Sequence, residues 1–171
     1  MTNFAIRPAR PEDAEQLSVL AQRSKAHWGY DEEFLSAFRS ELTIRAESVV
    51  PRRTQVAVGG KDLGGTDAES GLTQGAEPEE RILGFATLEG EAPAGELGML
   101  FVDPDVIGQG VGTGLFKHIS SLATQLGFHR LTIASDPFAE PFYLAQGAVR
   151  IGAVPSGSIP GRSLPLLALA L

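Results

Sequence analysis

The chain has 171 residues, 43% of them hydrophobic, with 14 basic against 21 acidic side chains and no cysteine. That length gives one domain with a sizeable core; the lack of thiols excludes disulfides, thiolate metal sites and a cysteine nucleophile. A net charge of −7 is the wrong sign for a nucleic-acid face, and no stretch approaches the roughly 20 apolar residues of a membrane span, so a cytoplasmic protein with no membrane or nucleic-acid partner is expected.

Phe4 to Arg7 reads as an opening strand closed by Pro8. Pro11, at a first helical position, and Glu12 and Asp13, in the acidic first turn, start a helix. Its buried face is Ala14, Leu17, Leu20 and Ala21, and it runs to about Ala26. His27-Trp28-Gly29-Tyr30 breaks it. Asp31 then caps a second helix with Phe34 or Leu35, Phe38 and Leu42 on its apolar stripe. Arg53 to Val58 and Arg81 to Leu88 read as paired strands. Residues 59–80 between them hold six glycines, six acids and one lysine, so they carry −5 of the net charge and the remainder only −2. Such a segment buries too little to offset its ordering entropy, and a mobile hairpin insertion within a single 1–171 domain is expected. The acidity therefore says little about the substrate.

The stretch from Glu96 to Leu126 organises the chain. Leu97 to Val102 is an apolar run of strand length, stopped by Asp103-Pro104. From Gly108 to Gly114 every second residue is glycine. Val111, Leu115, Ile119, Leu122 and Leu126 then recur at helical steps. Bare N–H groups at a helix N-terminus suit an anion such as phosphate. No lysine follows the glycines, which excludes a P-loop. The sixth positions from Gly108 and Gly110 are Thr113 and Leu115, which excludes the dinucleotide fingerprint.

Arg130 to Ser135 reads as a buried strand parallel to the first, reached by that crossover helix. Asp136 and Pro137 are expected to cap and open the next helix, which Pro141 kinks or restarts and Gly147 ends in a left-handed turn. Val149 to Val154 and Leu164 to Leu171 give the last two strands. LPLLALAL has no polar face, so it is either covered on both sides or packed on another subunit.

Two segments resemble signatures of the GCN5-related N-acetyltransferases (GNAT). Ile107-x-x-Gly110-x-Gly112, after a strand ending near a proline, is similar to the family's Gln/Arg-x-x-Gly-x-Gly/Ala loop, with Ile107 in place of the Gln/Arg. Asp136 to Ala148 resembles its Asn-x-x-Ala-x-x-Phe-Tyr-x-x-x-Gly-Phe segment, with Asp136 for Asn and Ala148 for Phe. Order and separation of the two, with β-α-α-β-β-β-α-β-α-β-β along the chain, extend the resemblance over almost its full length. It implies an α/β (α+β) GNAT fold, a mixed sheet of about seven strands splayed between the fourth and fifth, with about four helices.

The resemblance also implies an acetyl-CoA-dependent N-acetyltransferase acting on a small-molecule amine or a protein amine, with no metal. The pyrophosphate would sit on Ile107, Gly108, Gln109, Gly110, Val111, Gly112 and Thr113, with Asp136 nearby. Pantetheine would pair with the edge at Leu100, Phe101 and Val102, where an N–H of Leu100 or Phe101 polarises the thioester carbonyl. Tyr143 matches the tyrosine that protonates the departing thiolate, and Glu96 a position from which some members activate the amine through water. Trp28 and Tyr30 either line an acceptor pocket or only pack the core. Arg162 either pairs a substrate carboxylate or is a surface arginine. The C-terminal strands would supply a homodimer contact. The alternative is a fold of this type that senses acyl-CoA or a metabolite without turnover, to which the Ile107 departure points.

Overall fold

A computed structural model describes residues 3–60 and 80–171. The elements are β1 (Ala5–Pro8), α1 (Ala14–His27), α2 (Glu32–Phe38), α3 (Ala46–Val49), β2 (Gln55–Gly60), β3 (Glu80–Glu91), β4 (Ala94–Val102), α4 (Val111–Gln125), β5 (Arg130–Ala134), α5 (Glu140–Ala145), β6 (Val149–Pro155) and β7 (Ser163–Ala170). The seven strands form one sheet in the order β1-β2-β3-β4-β5-β7-β6. Among the described residues only β4 and β5 run parallel; the other neighbours are antiparallel. The expected mixed seven-stranded sheet is therefore present. The single-turn helix α3 was not anticipated, because four residues carry no periodicity.

Each sheet face is covered. On one, Leu17, Leu20 and Ala21 of α1 and Phe38 of α2 pack on Val56, Val58, Ile82 and Phe85. On the other, Val111, Leu115, Phe116 and Ile119 of α4 pack on Leu83, Ala86, Leu97 and Leu131. Alternation along β2 and β3 sends Val56 and Phe85 to one core and Ala57 and Ala86 to the other; a bulge at Leu83 interrupts it. The apolar run of β7 lies between β5 and β6, so both its edges are paired inside the chain. Pairing settles its edges and not its faces: Leu167, Ala168 and Leu169 are buried, while Leu164 and Leu166 stay partly exposed.

Several features differ from expectation: the helix whose apolar stripe was to reach Leu42 ends at Phe38, and the strand expected over Arg81 to Leu88 runs on to Glu91. Gly59, Gly60 and Glu80 are strand residues, with Gly60 opposite Glu80; the rest of the 59–80 insertion lies outside the described residues. Pro137 does not open a helix. Asp136 Oδ1 accepts the Phe138 N–H at 2.9 Å in a local turn, and α5 starts at Glu140 with Pro141 in its first turn, where proline's missing N–H is harmless. Gly114 belongs to packing, not to the loop: a Cβ there would lie 2.7 Å from the Phe4 ring.

The seat of α4 on the sheet is tight. A Cβ at Gly84 would lie 2.8 Å from the Phe101 carbonyl oxygen and 3.0 Å from Leu115 Cδ1. Gly84→Ala should therefore destabilise the fold by about 1–3 kcal/mol, the usual range for overpacking. Urea denaturation checks this, and an unchanged midpoint would mean that α4 sits more loosely than described.

Candidate active site

The strands β4 and β5 stay paired only from Ala94–Arg130 to Glu96–Thr132. Beyond that they part, and a cleft of about 560 Å³ opens between them. A bulge sharpens the parting. Between Leu88↔Leu97 and Ala86↔Leu100, β4 spends one more residue than β3, so Gly98 and Met99 form an outward step. Asp103 N–H donates to the Leu83 carbonyl at 2.8 Å, and Met99 N–H donates to Thr87 Oγ1 at 2.9 Å. Alternation along the strand then points the Phe101 N–H at β3 and the Leu100 and Val102 N–H groups at the cleft. Of the two expected carbonyl-polarising groups, the geometry favours Leu100.

At one end of the cleft lies the glycine turn. Asp103 is buried, paired with Arg23 at 2.9 Å and Arg81 at 3.2 Å, and its Oδ1 takes the Asp105 N–H at 2.9 Å. That network fixes the chain as it leaves β4. Gly108 and Gly110 have φ of 81° and 91°, left-handed values that only glycine adopts without strain. Gly110 is the N-cap of α4 and offers no side-chain cap. Gly114 N–H bonds back to Gly110, which leaves the N–H groups of Val111, Gly112 and Thr113 as the orphan donors of the first turn. The cleft wall includes Ile107, Gly108, Gly110, Gly112 and Thr113. Gln109 does not reach it: its N–H goes to Val106 and its side chain to the Asp105 carbonyl at 3.4 Å. Val111 buries its side chain in the core.

Tyr143, 6% exposed, also lines the cleft, as do Ile133, Ala134, Ala139 and Phe142. Burial, then the charge of Asp136, push its phenol well above the ordinary value, so it stays protonated across working pH.

The far end holds a cluster that sequence reading only half anticipated. Asp136 Oδ2 accepts from Lys25 Nζ at 2.6 Å and from the Tyr30 hydroxyl at 2.8 Å. Arg162 Nη2 donates to the same hydroxyl at 2.9 Å. Asp136 is thus committed to tying α1, the α1–α2 link and the C-terminal loop together, rather than facing the glycine turn. Burial raises its carboxyl, but hydrogen bonds from Lys25 and Phe138 and the Lys25 charge outweigh this and hold it below the ordinary range. Burial and the Asp136 carboxylate push Tyr30 up to about 12. Trp28 lines the cleft and stacks flat on Phe138 at 5.7 Å. Tyr30 packs behind, on Phe34 at 4.4 Å.

This cluster has a stability signature. A carboxyl depressed on folding contributes stability that is full above its unfolded pKa, near 3.8, and is lost as pH falls through the lower folded value. Asp136→Asn, which strands two half-buried cations, should cost about 3 kcal/mol at pH 7. Urea midpoints at pH 7 and pH 3 check this: the gap between wild type and variant should shrink at the lower pH, and a constant gap would contradict the pairing.

Glu96 is exposed and stands opposite Glu89 on β3; burial and the Glu89 charge raise its carboxyl. It is not part of the cleft wall. Glu89, which sequence reading passed over, lies closer. Its carboxylate fills the space over Gly98, a cleft residue. The signal was there: a glycine inside a strand marks a close approach. Lys25 and Glu41 also line the cleft.

Residues 66–155 match the family model of the acetyltransferase (GNAT) domain. The chain belongs to the GNAT family of acetyltransferases. It is 31% identical over 122 residues to the peptidyl-lysine N-acetyltransferase YjaB of Salmonella typhimurium, across 71% of this chain and 68% of that one. Among solved structures it resembles a GCN5-related N-acetyltransferase from Rhodopseudomonas palustris, with TM-score 0.75, 27% identity, and 100% and 98% of the two chains covered. The fold is also that of the PaiA N-acetyltransferase of Thermoplasma acidophilum, solved with coenzyme A, with TM-score 0.72, 17% identity, and 99% and 100% covered. No helix among the described residues of this GNAT acetyltransferase is long and apolar enough to cross a membrane.

Proposed function

We propose that this acetyltransferase moves the acetyl group of acetyl-CoA to a primary amine by direct attack. One observation carries the reading: the gap between β4 and β5 runs from an uncapped helix N-terminus to a buried phenol. The cleft residues suit the cosubstrate. The α4 N–H groups of Val111, Gly112 and Thr113 would hold the pyrophosphate, with the helix dipole behind them. The free edge of β4 would pair with the pantetheine amides. Ile107 contributes no polar contact, so main-chain donors carry the phosphate.

The Leu100 N–H would polarise the thioester carbonyl as charge grows on its oxygen. The amine nitrogen forms the new C–N bond, the C–S bond breaks, and the sulfur takes the Tyr143 proton. Burial raises the phenol, but it raises a thiol for the same reason, so burial itself does not oppose the transfer. The amine's proton would leave to water, with the Glu89 carboxylate over Gly98 as the nearer acid and Glu96 opposite it on β4.

Release of free thiol from acetyl-CoA across a panel of amines, lysine peptides included, tests the reading. Amine-dependent thiol release is expected. Tight CoA binding with no release from any amine would favour a sensor instead.

A further inference from the structure

The charges at the far end of the cleft do not balance. Asp136 accepts from Lys25, Tyr30 and the Phe138 N–H, and Arg162 Nη2 stands 3.8 Å from the same Oδ2, an ion pair without a hydrogen bond. The one side-chain acceptor for Arg162 among the described residues is a phenol, at 2.9 Å. Its Nη1 is buried with no hydrogen-bond partner among the described residues. The guanidinium instead rests on aromatic faces, 4.9 Å from Phe34 and 5.5 Å from Tyr30. Lys25 and Arg162 side chains are only 11% and 17% exposed. Lys25 and Arg162 therefore share a single carboxylate, which leaves the cluster one positive charge in excess, an arrangement that favours a ligand supplying an anion. Glu41, the other acid on the cleft wall, is exposed and forms no ion pair with Arg162 among the described residues.

We propose that the acceptor is a small primary amine carrying a carboxylate, and that Arg162, with Lys25 beside it, receives that carboxylate. The proposal rests on the transferase reading above. A single excess charge matches a monoanion better than a phosphate dianion. The arginine lies inside a cleft walled by Trp28 and Phe38, not on an open groove, which favours a small molecule over a peptide. Arg162 is then a specificity residue, since its fork orients the amine toward the thioester without touching the bonds that change.

The test compares matched amines in the thiol-release assay: 5-aminopentanoate against pentylamine, and a lysine peptide with or without a neighbouring glutamate. The expected result is roughly 10- to 100-fold higher kcat/KM for 5-aminopentanoate than for pentylamine, the worth of a hydrogen bond to a charged group. Arg162→Met should collapse that ratio, mostly through KM, and Arg162→Lys should restore part of it. Retained CoA affinity in both variants shows that they fold. Equal rates for the matched pair, a ratio untouched by Arg162→Met, or turnover of the acidic peptide ahead of 5-aminopentanoate would each overturn the proposal.

A binding arm separates this from failure of the transferase reading. Trp28 is the sole tryptophan and lines the cleft, so its fluorescence reports entry. Saturable quenching by pentanoate but not by pentanol, lost in Arg162→Met, is expected even if no amine is turned over. Quenching without any thiol release would sink catalysis and keep the carboxylate site. Indifference to pentanoate would sink the site.

Discussion

Replacing Gly112 with glutamate should weaken CoA binding by about 100-fold or more, the scale of a like charge set against a bound anion. The position is well suited to the test. A Cβ at Gly112 meets Phe142 and Val102 at 3.5 Å, ordinary contact, so an added side chain is tolerated by the fold. The glutamate would, however, bring a negative charge to the first turn of α4, where the pyrophosphate is proposed to sit; the helix dipole favours that charge, but an incoming anion would be repelled by it. Gly112→Ala is the control, with CoA affinity within a few-fold of wild type. Gly110 is the poorer choice, since its left-handed φ would strain any replacement. Titration calorimetry with CoA reads both variants. Undiminished affinity in Gly112→Glu would remove the glycine turn from the site.

The second large effect concerns the phenol. Tyr143→Phe should lower kcat by about 100-fold or more, the usual worth of a positioned acid, while CoA affinity changes little. The ring stays, and with it the packing against Phe116 and Phe142; only the proton donor goes. Because burial and Asp136 hold the phenol above its ordinary value, wild-type kcat should show no loss from Tyr143 ionisation up to about pH 10. An unchanged kcat in Tyr143→Phe would take this residue out of the mechanism.

The strand–turn–helix from Leu97 to Leu126 was readable because each part has a local cause: an apolar run, a proline stop, glycines, a 3.6-residue period. The same holds for the Asp31 cap, whose side chain accepts the Phe34 N–H at 2.8 Å. What escaped is what depends on register or on distant partners. The β4 bulge at Gly98 and Met99 exists only relative to β3, so no single-strand pattern reveals it. Without the bulge, the Leu100 and Phe101 N–H groups look equivalent. Lys25 sits in the last turn of α1, a place where any lysine is favourable, and nothing in its surroundings announces Asp136, 111 residues away. Arg162 read more readily as a surface residue in a turn; its burial comes from Tyr30 and Phe34, which the fold delivers from the other end of the chain. Asp136 was aligned with a cofactor-side position, yet its bonds run to α1 and Tyr30, because a carboxylate with a lysine in reach commits to it.

The central claim is that CoA lies along the parted edge of β4 with its pyrophosphate on the start of α4. A crystal structure of the CoA complex tests it most directly. Diphosphate oxygens are expected on the N–H groups of Val111, Gly112 and Thr113, pantetheine paired with β4 near Leu100, and the sulfur beside the Tyr143 hydroxyl. A CoA whose diphosphate lies away from that helix start, or whose sulfur is remote from Tyr143, would contradict it.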